Sequence, residues 1–450
     1  MITLNTIKND ELFQAYAGIA FIMLFVPISL TRGLFFFLPV IAIISFIILK
    51  MILNRKPGVS FLLVALGLTY CSGSMQDAIV FSGNAQLKLF LLFSILFAFF
   101  CYYFLQKKRT HFIAPTLLVV LYIIISIFYN NDIIKTLLLI AGTHIAFCIG
   151  RYDGIKPNQA IKLFGVCFFF TFFYAVLEFH FRICPYMFLY QTTSTFGLET
   201  VRAMGILGNP LLLCSIAMLF LTTLFVDALN NGKLNVFYLI ICLYVALIVT
   251  SRTSIYTGGI LFAIYLLFSK SLISIKKLFV TTFLIGIFFF IVYNYLGDIY
   301  FNLLDRFETG NYEHRESAFS TMLNVLKEQP WGLGDKLATK IQSYASYGFK
   351  DGMTTLDNFL CTQFSVYGYL GILLVFYYLY YIFKMLFGRK YGKYRKTGFF
   401  YLVYFLLIGM SFDLEAYVNM NLPFFILIST YYNQLEKDEK EYKYLQIKTV

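Results

Sequence analysis

The stretch RAMGILGNPLLLCSIAMLFLTTLFVD, Arg202 to Asp227, holds no charged residue between its two ends. A hydrocarbon layer about 30 Å thick is crossed by about 20 helical residues, and the portion from 204 to 226 meets that length. Lipid offers the backbone no hydrogen bonds, so a segment inside it must satisfy its own peptide groups. The block also lacks the apolar–polar alternation of a barrel strand, and it reads as a transmembrane helix.

The same pattern continues in both directions. Further spans are expected near 12 to 30, 33 to 53, 59 to 73, 86 to 105, 111 to 129, 134 to 150 and 158 to 179, then near 234 to 250, 253 to 269, 277 to 296, 357 to 384, 397 to 413 and 417 to 432. The expected fold class is an all-α polytopic membrane protein of about 12–14 transmembrane helices, one transmembrane domain over residues 1–450. With 60% hydrophobic and 13% charged residues, a water-soluble globule is excluded. Lys8, Asp10 and Glu11 precede the first apolar run with no small-residue cleavage pattern behind it, so the first span is expected to remain. The net charge of +13 would suit a nucleic-acid partner, but the basic residues sit in short loops, where topology accounts for them and no nucleic acid is expected. The cysteines show no Cys-x-x-Cys spacing and read as packing residues.

Lys and Arg collect on alternate loops: Arg55-Lys56, Lys107-Lys108-Arg109, Arg151 with Lys156, Lys276-Lys277, and Arg389-Lys390 with Lys393, Arg395 and Lys396. The positive-inside bias makes that face cytoplasmic. The opposite, outer face has a single long loop, residues 297–356, and loops of that length are usually functional. Within it Phe319, Met322, Leu323 and Leu326 recur at three- and four-residue steps, so an amphipathic helix from Tyr312 to Lys327 is expected to lie along a surface.

Arginines on the outer face run against this bias and are costly near lipid unless paired or wetted, which makes them informative. Arg202 opens Arg202-Ala203-Met204-Gly205-Ile206-Leu207-Gly208-Asn209-Pro210, whose glycines and proline allow a bent helix start. Arg252 occupies the turn Thr250-Ser251-Arg252-Thr253-Ser254 between two apolar blocks, while Arg315 and Arg306 lie in or just before the loop helix. A guanidinium pairs phosphate oxygens bidentately and keeps its proton, so the ligand is expected to be anionic. The alternative for each is snorkelling to water or pairing with Asp305, Glu308, Glu313 or Glu316. Asp357, in Thr354-Thr355-Leu356-Asp357-Asn358-Phe359-Leu360, is either a helix cap or a general base facing the arginines across an outer cavity. Asn209 and Asn358 stand beside these charges as candidate substrate-binding residues, and Tyr312, Trp331 and Tyr347 as rings on which sugars could stack.

The order of these motifs resembles bacterial Wzy-type O-antigen polymerases, whose frame the O-antigen ligases share. It runs from Arg-x-x-Gly-x-x-Gly-Asn-Pro at 202–210 through Ser-Arg-Thr at 251–253 to a large outer loop, which carries Arg315, a helix and Gln329-Pro330-Trp331-Gly332-Leu333-Gly334, and ends at Asp357-Asn358 on a span start. The resemblance covers about Arg202 to Ile372. It implies a GT-C-like membrane glycosyltransferase acting at the periplasmic face of the bacterial inner membrane, with 297–356 as a periplasmic loop. Donor and acceptor would both be undecaprenyl-pyrophosphate-linked oligosaccharides, with membrane lipid and a chain-length regulator as further partners. Ligases of the superfamily typically carry histidine where this chain has Asp357, which favours a polymerase.

On that reading Asp357 is the base, Arg202 and Arg252 complete the catalytic set by holding the pyrophosphate, and Arg315, Arg306, Asn209 and Asn358 bind substrate. The chain has no Asp-x-Asp triplet and no Walker-type run, so no metal or other cofactor is expected and the energy resides in the donor. No paired carboxylates suggest a covalent intermediate, and inversion at the anomeric carbon is expected. The rival expectations are an O-antigen ligase and, from another class, a flippase of lipid-linked oligosaccharide, against which the lack of an internal repeat speaks.

Overall fold

The computed structural model describes residues 17–21, 23–24, 124, 156–183, 192–195, 198–207, 209–249, 251–269, 312–347, 356–387, 392–411 and 418–448. The spans expected at 33–53, 59–73, 86–105, 134–150 and 277–296 lie outside these residues, as does nearly all of 111–129. What is described is all-α apart from one small hairpin, β1 (Thr192–Thr195) antiparallel to β2 (Leu198–Val201), with Thr192 opposite Val201. The hairpin was not expected from the apolar pattern. Its β-branched Thr192, Thr193, Thr195, Thr200 and Val201 suit extended backbone.

The helices are α1 (Pro157–Phe181), α2 (Pro210–Asn231), α3 (Val236–Ile248), α4 (Arg252–Phe268), α5 (Tyr312–Glu328), the single turn α6 (Leu337–Lys340), α7 (Phe359–Tyr367), α8 (Gly371–Phe387), α9 (Gly392–Gly409) and α10 (Val418–Lys448). The opening stretch becomes α2, the centre of the bundle, packed against α1, α3, α4, α9 and α10. Asn209 starts it by accepting the N–H groups of Leu211 (2.8 Å) and Leu212 (3.2 Å), and Pro210 occupies the first turn, where no donor is needed. Gly232, at φ 75, ends it.

Around α2 the gaps are filled by rings, including Phe168 with Phe220 (5.0 Å between centroids) and Phe225 with Tyr265 (4.8 Å). Hydroxyls bridge helices: Tyr404 donates to the Ser215 carbonyl (3.1 Å), Thr223 and Tyr401 share a bond of 3.1 Å, and Tyr378 donates to Asn421 Oδ1 (2.9 Å). In an apolar medium each such bond contributes about 0.6–2 kcal/mol.

These contacts run the helices alternately up and down, so the bundle has two chemically different ends. One holds Lys156, Asn230, Phe268, Thr397 and Lys396, where Lys396 Nζ donates to the Phe268 carbonyl (3.3 Å). The other holds the C-termini of α1, α3 and α9 and the N-termini of α2, α4 and α7.

Two sequence expectations need correction. The span from 357 to 384 is broken: α7 stops at Tyr367, a 3-10 turn covers Gly368–Leu370, and α8 begins at Gly371. The start of α7 comes back within reach of α8, with the rings of Phe359 and Tyr378 5.0 Å apart. The loop helix α5 is present, but its buried ridge is Ala318, Met322, Val325 and Leu326, while Phe319 and Leu323 are exposed. That ridge does not lie on a bare surface. It packs on α7 in a small second core with Leu337, Ile341, Leu356 and Cys361.

The break and the loop motif explain each other. Tyr369 N–H donates to the Pro330 carbonyl (3.0 Å) and Leu333 N–H to the Ser365 carbonyl (2.8 Å). A Cβ on Gly368, which sits at φ 61, would lie 2.0 Å from the Pro330 oxygen, so only glycine lets the two backbones meet.

Candidate active site

Between β2 and α2 the chain passes through the segment 202–207, clamped from both sides. Ala203 N–H donates to the Ile248 carbonyl (3.3 Å) and Arg202 Nε to the Val249 carbonyl (3.3 Å), at the C-terminal end of α3. Arg252 is the first residue of α4, three positions beyond Val249. The two arginines read from sequence therefore share one corner, both half-buried, reached from opposite ends of α2 and α3. Ser254 braces the turn by donating to the Ser251 carbonyl (2.6 Å).

Asp357 stands at the same end of the bundle, half-buried. Its neighbour fixes it there: Asn358 Nδ2 donates to the Met410 carbonyl at the end of α9 (3.4 Å), and Asn358 Oδ1 accepts from Cys361 N–H (3.1 Å). The cap of α7 is thus Asn358, so capping is not what Asp357 supplies. Instead Asp357 adopts φ 47, a left-handed conformation that costs a residue with a Cβ about 1–3 kcal/mol.

The other expected residues fall as follows. Asn209 and Asn358 commit their side-chain oxygens to starting α2 and α7. Arg315 lies on α5, with its side chain outside the described atoms, and Arg306 is outside the described residues. Trp331 and Tyr347 are largely exposed.

Two residues escaped the sequence reading. Glu178, in the last turn of α1, is fully buried, and its Oε2 accepts the N–H groups of Met204 and Gly205, each at 2.8 Å. Arg182, at φ 54, closes α1 through its N–H to the Glu178 carbonyl (3.2 Å). A signal for Glu178 existed: a lone acid inside an apolar span is rarely idle.

The fold is that of a polytopic all-α membrane protein, with Arg202, Arg252 and Asp357 at the same end of its bundle. Residues 237–376 match the family described as O-Antigen ligase. The matched stretch contains α3, the Arg252 turn, α4, the loop helix, the Pro330–Gly334 motif, Asp357, α7 and the start of α8, and it supports kinship with the O-antigen ligase and polymerase group. No curated protein and no solved structure matches the chain.

Proposed function

We propose that the protein is a membrane glycosyltransferase that joins undecaprenyl-pyrophosphate-linked oligosaccharide repeat units at the periplasmic face of the bacterial inner membrane, an O-antigen or related polysaccharide polymerase. Asp357 carries the reading. A carboxylate is held in a left-handed conformation, relieved of capping by Asn358, at the bundle end where Arg202 and Arg252 share a corner. An observed backbone outlier of this kind commonly marks a working residue.

In the reaction the acceptor hydroxyl gives its proton to the Asp357 carboxylate, and its oxygen attacks the donor's anomeric carbon. The bond from that carbon to the pyrophosphate oxygen breaks, and undecaprenyl pyrophosphate leaves with configuration inverted. A carboxylate within reach of the acceptor hydroxyl can take its proton as a general base. Arg202 and Arg252 meet the charge growing on the leaving diphosphate. Arg315 and Arg306, on or before the loop helix, add cationic contacts to substrate. Asn209 and Asn358 border the substrate and set the starts of α2 and α7 beside the charged groups.

The second reading, an O-antigen ligase, is favoured by the description of the family matched at 237–376. The test is incubation of purified protein with a lipid-linked repeat unit alone. A ladder of longer lipid-linked products supports the polymerase, reaction only after a lipid A core acceptor is added supports the ligase, and no transfer with either ends both readings.

A further inference from the structure

Glu178 has no part in that chemistry, yet it is the fully buried carboxylate nearest in structure to the Arg202 segment. One of its oxygens ties down two consecutive peptide N–H groups, those of Met204 and Gly205. The other, Oε1, is buried with no hydrogen-bond partner among the described residues. A carboxylate in such surroundings is expensive to keep and is retained where it does a specific job.

The local geometry shows the job. The chain leaves β2, must present Arg202 to the end of α3, and then turns through Gly205 at φ 56 into a 3-10 turn, Gly205–Leu207, before Asn209 starts α2. A Cβ at Gly205 would meet the Thr171 carbonyl of α1 at 3.1 Å, so the segment lies flush against α1. From the α3 side it is held by Ala203 and by Arg202 itself, and from the α1 side by Glu178. Without Glu178 the Met204 and Gly205 donors lose their acceptor inside the bundle, and the backbone one or two residues from Arg202 must move to satisfy them.

We propose that Glu178 is a positioning residue: by binding the Met204 and Gly205 N–H groups through one oxygen it sets the backbone that aims Arg202 at the donor's diphosphate. The inference rests on the reading of Arg202 under Proposed function. Because one oxygen serves both donors, the role needs an acceptor of that length and not a negative charge, so glutamine substitutes for glutamate and alanine does not.

The experiment is a double-mutant cycle on the full-length protein, with kcat and KM measured for ladder formation from a lipid-linked repeat unit. Glu178→Ala is expected to lower kcat by about a hundredfold, Glu178→Gln to stay within about threefold of the parent, and Glu178→Ala added to Arg202→Ala to bring no further loss, as residues acting through one another are non-additive. Should Glu178→Ala fail to fold, Gly205→Ala strains the same tie from its other side and should show the same kcat loss and the same non-additivity with Arg202→Ala. An active Arg202→Ala overturns both the role given to Arg202 under Proposed function and the inference that rests on it. An impaired Arg202→Ala beside an active, or a fully additive, Glu178→Ala or Gly205→Ala overturns the inference alone. Loss in Glu178→Gln equal to that in Glu178→Ala also overturns it, since charge and not the acceptor would then be what matters.

Discussion

The two ends of the bundle hold their cations in different ways. At the end rich in lysine, Lys384 lies over the rings of Tyr380 and Tyr432 (4.9 and 5.5 Å to the centroids), and Lys396 over Phe268 (5.6 Å). These are stems resting on aromatic faces, and Lys396 Nζ also donates to the Phe268 carbonyl (3.3 Å). At the opposite end Arg202 is fastened through Nε to a backbone carbonyl, Arg252 opens a helix directly after a braced turn, and the chain nearby passes through left-handed Arg182, Gly205 and Asp357. The lysines rest on ring faces, whereas the arginine end gathers the left-handed backbone positions, a geometry that the proposed recognition task would use.

The sharpest break of this comparison comes from Asp357→Asn. Removing a general base is expected to lower the rate of ladder formation by about 100- to 10,000-fold with protein levels unchanged. Normal ladders would remove Asp357 from the mechanism. Next come Arg202→Ala and Arg252→Ala, each expected to cost about 100- to 1000-fold in turnover. Lys384→Met and Lys396→Met, their counterparts at the other end, should stay within about twofold, and equal losses at both ends would erase the distinction drawn here.

A smaller effect is expected for Gly368→Ala, whose Cβ would collide with the Pro330 carbonyl. The loop motif must lift from the α7–α8 break, so cleavage by added protease between Gln329 and Gly334 should quicken and turnover fall by about tenfold. Unaltered cleavage would mean that the loop is held by α5 alone. Smallest of all, Tyr404→Phe removes the bond to the Ser215 carbonyl in the middle of the bundle. It should cost about 1 kcal/mol, seen as a Tm about one degree lower, and leave turnover unchanged.

Much of this was legible in the sequence, for reasons that differ from place to place. The runs that form α1, α3 and α4 are legible to within two residues and those that form α2 and α9 to within six, because burial in lipid or among helices demands long uncharged blocks whatever the partners. Arg202, Arg252 and Asp357 stood out because charge is costly there. The buried ridge of α5 was misjudged by one step around the helix, since periodicity shows that a helix has an apolar face but not which neighbour takes it. The break at Gly368 was hidden inside a run that is apolar throughout, and only the Pro330 backbone across from it reveals why a glycine is needed.

Composition and charge spacing alone determined that the chain crosses a membrane as helices, which of its faces is basic, and where the exceptional charges stand along it. Those properties follow from the transfer cost of each residue, which is local. Tertiary structure alone decided that α2 is the hub, that Asn358 and not Asp357 caps α7, and that Glu178 reaches across to the segment behind Arg202. Each of these depends on which backbone donors and acceptors meet across helices distant in sequence, and hydrogen-bond partners of that kind leave no period in the chain for a reader to find.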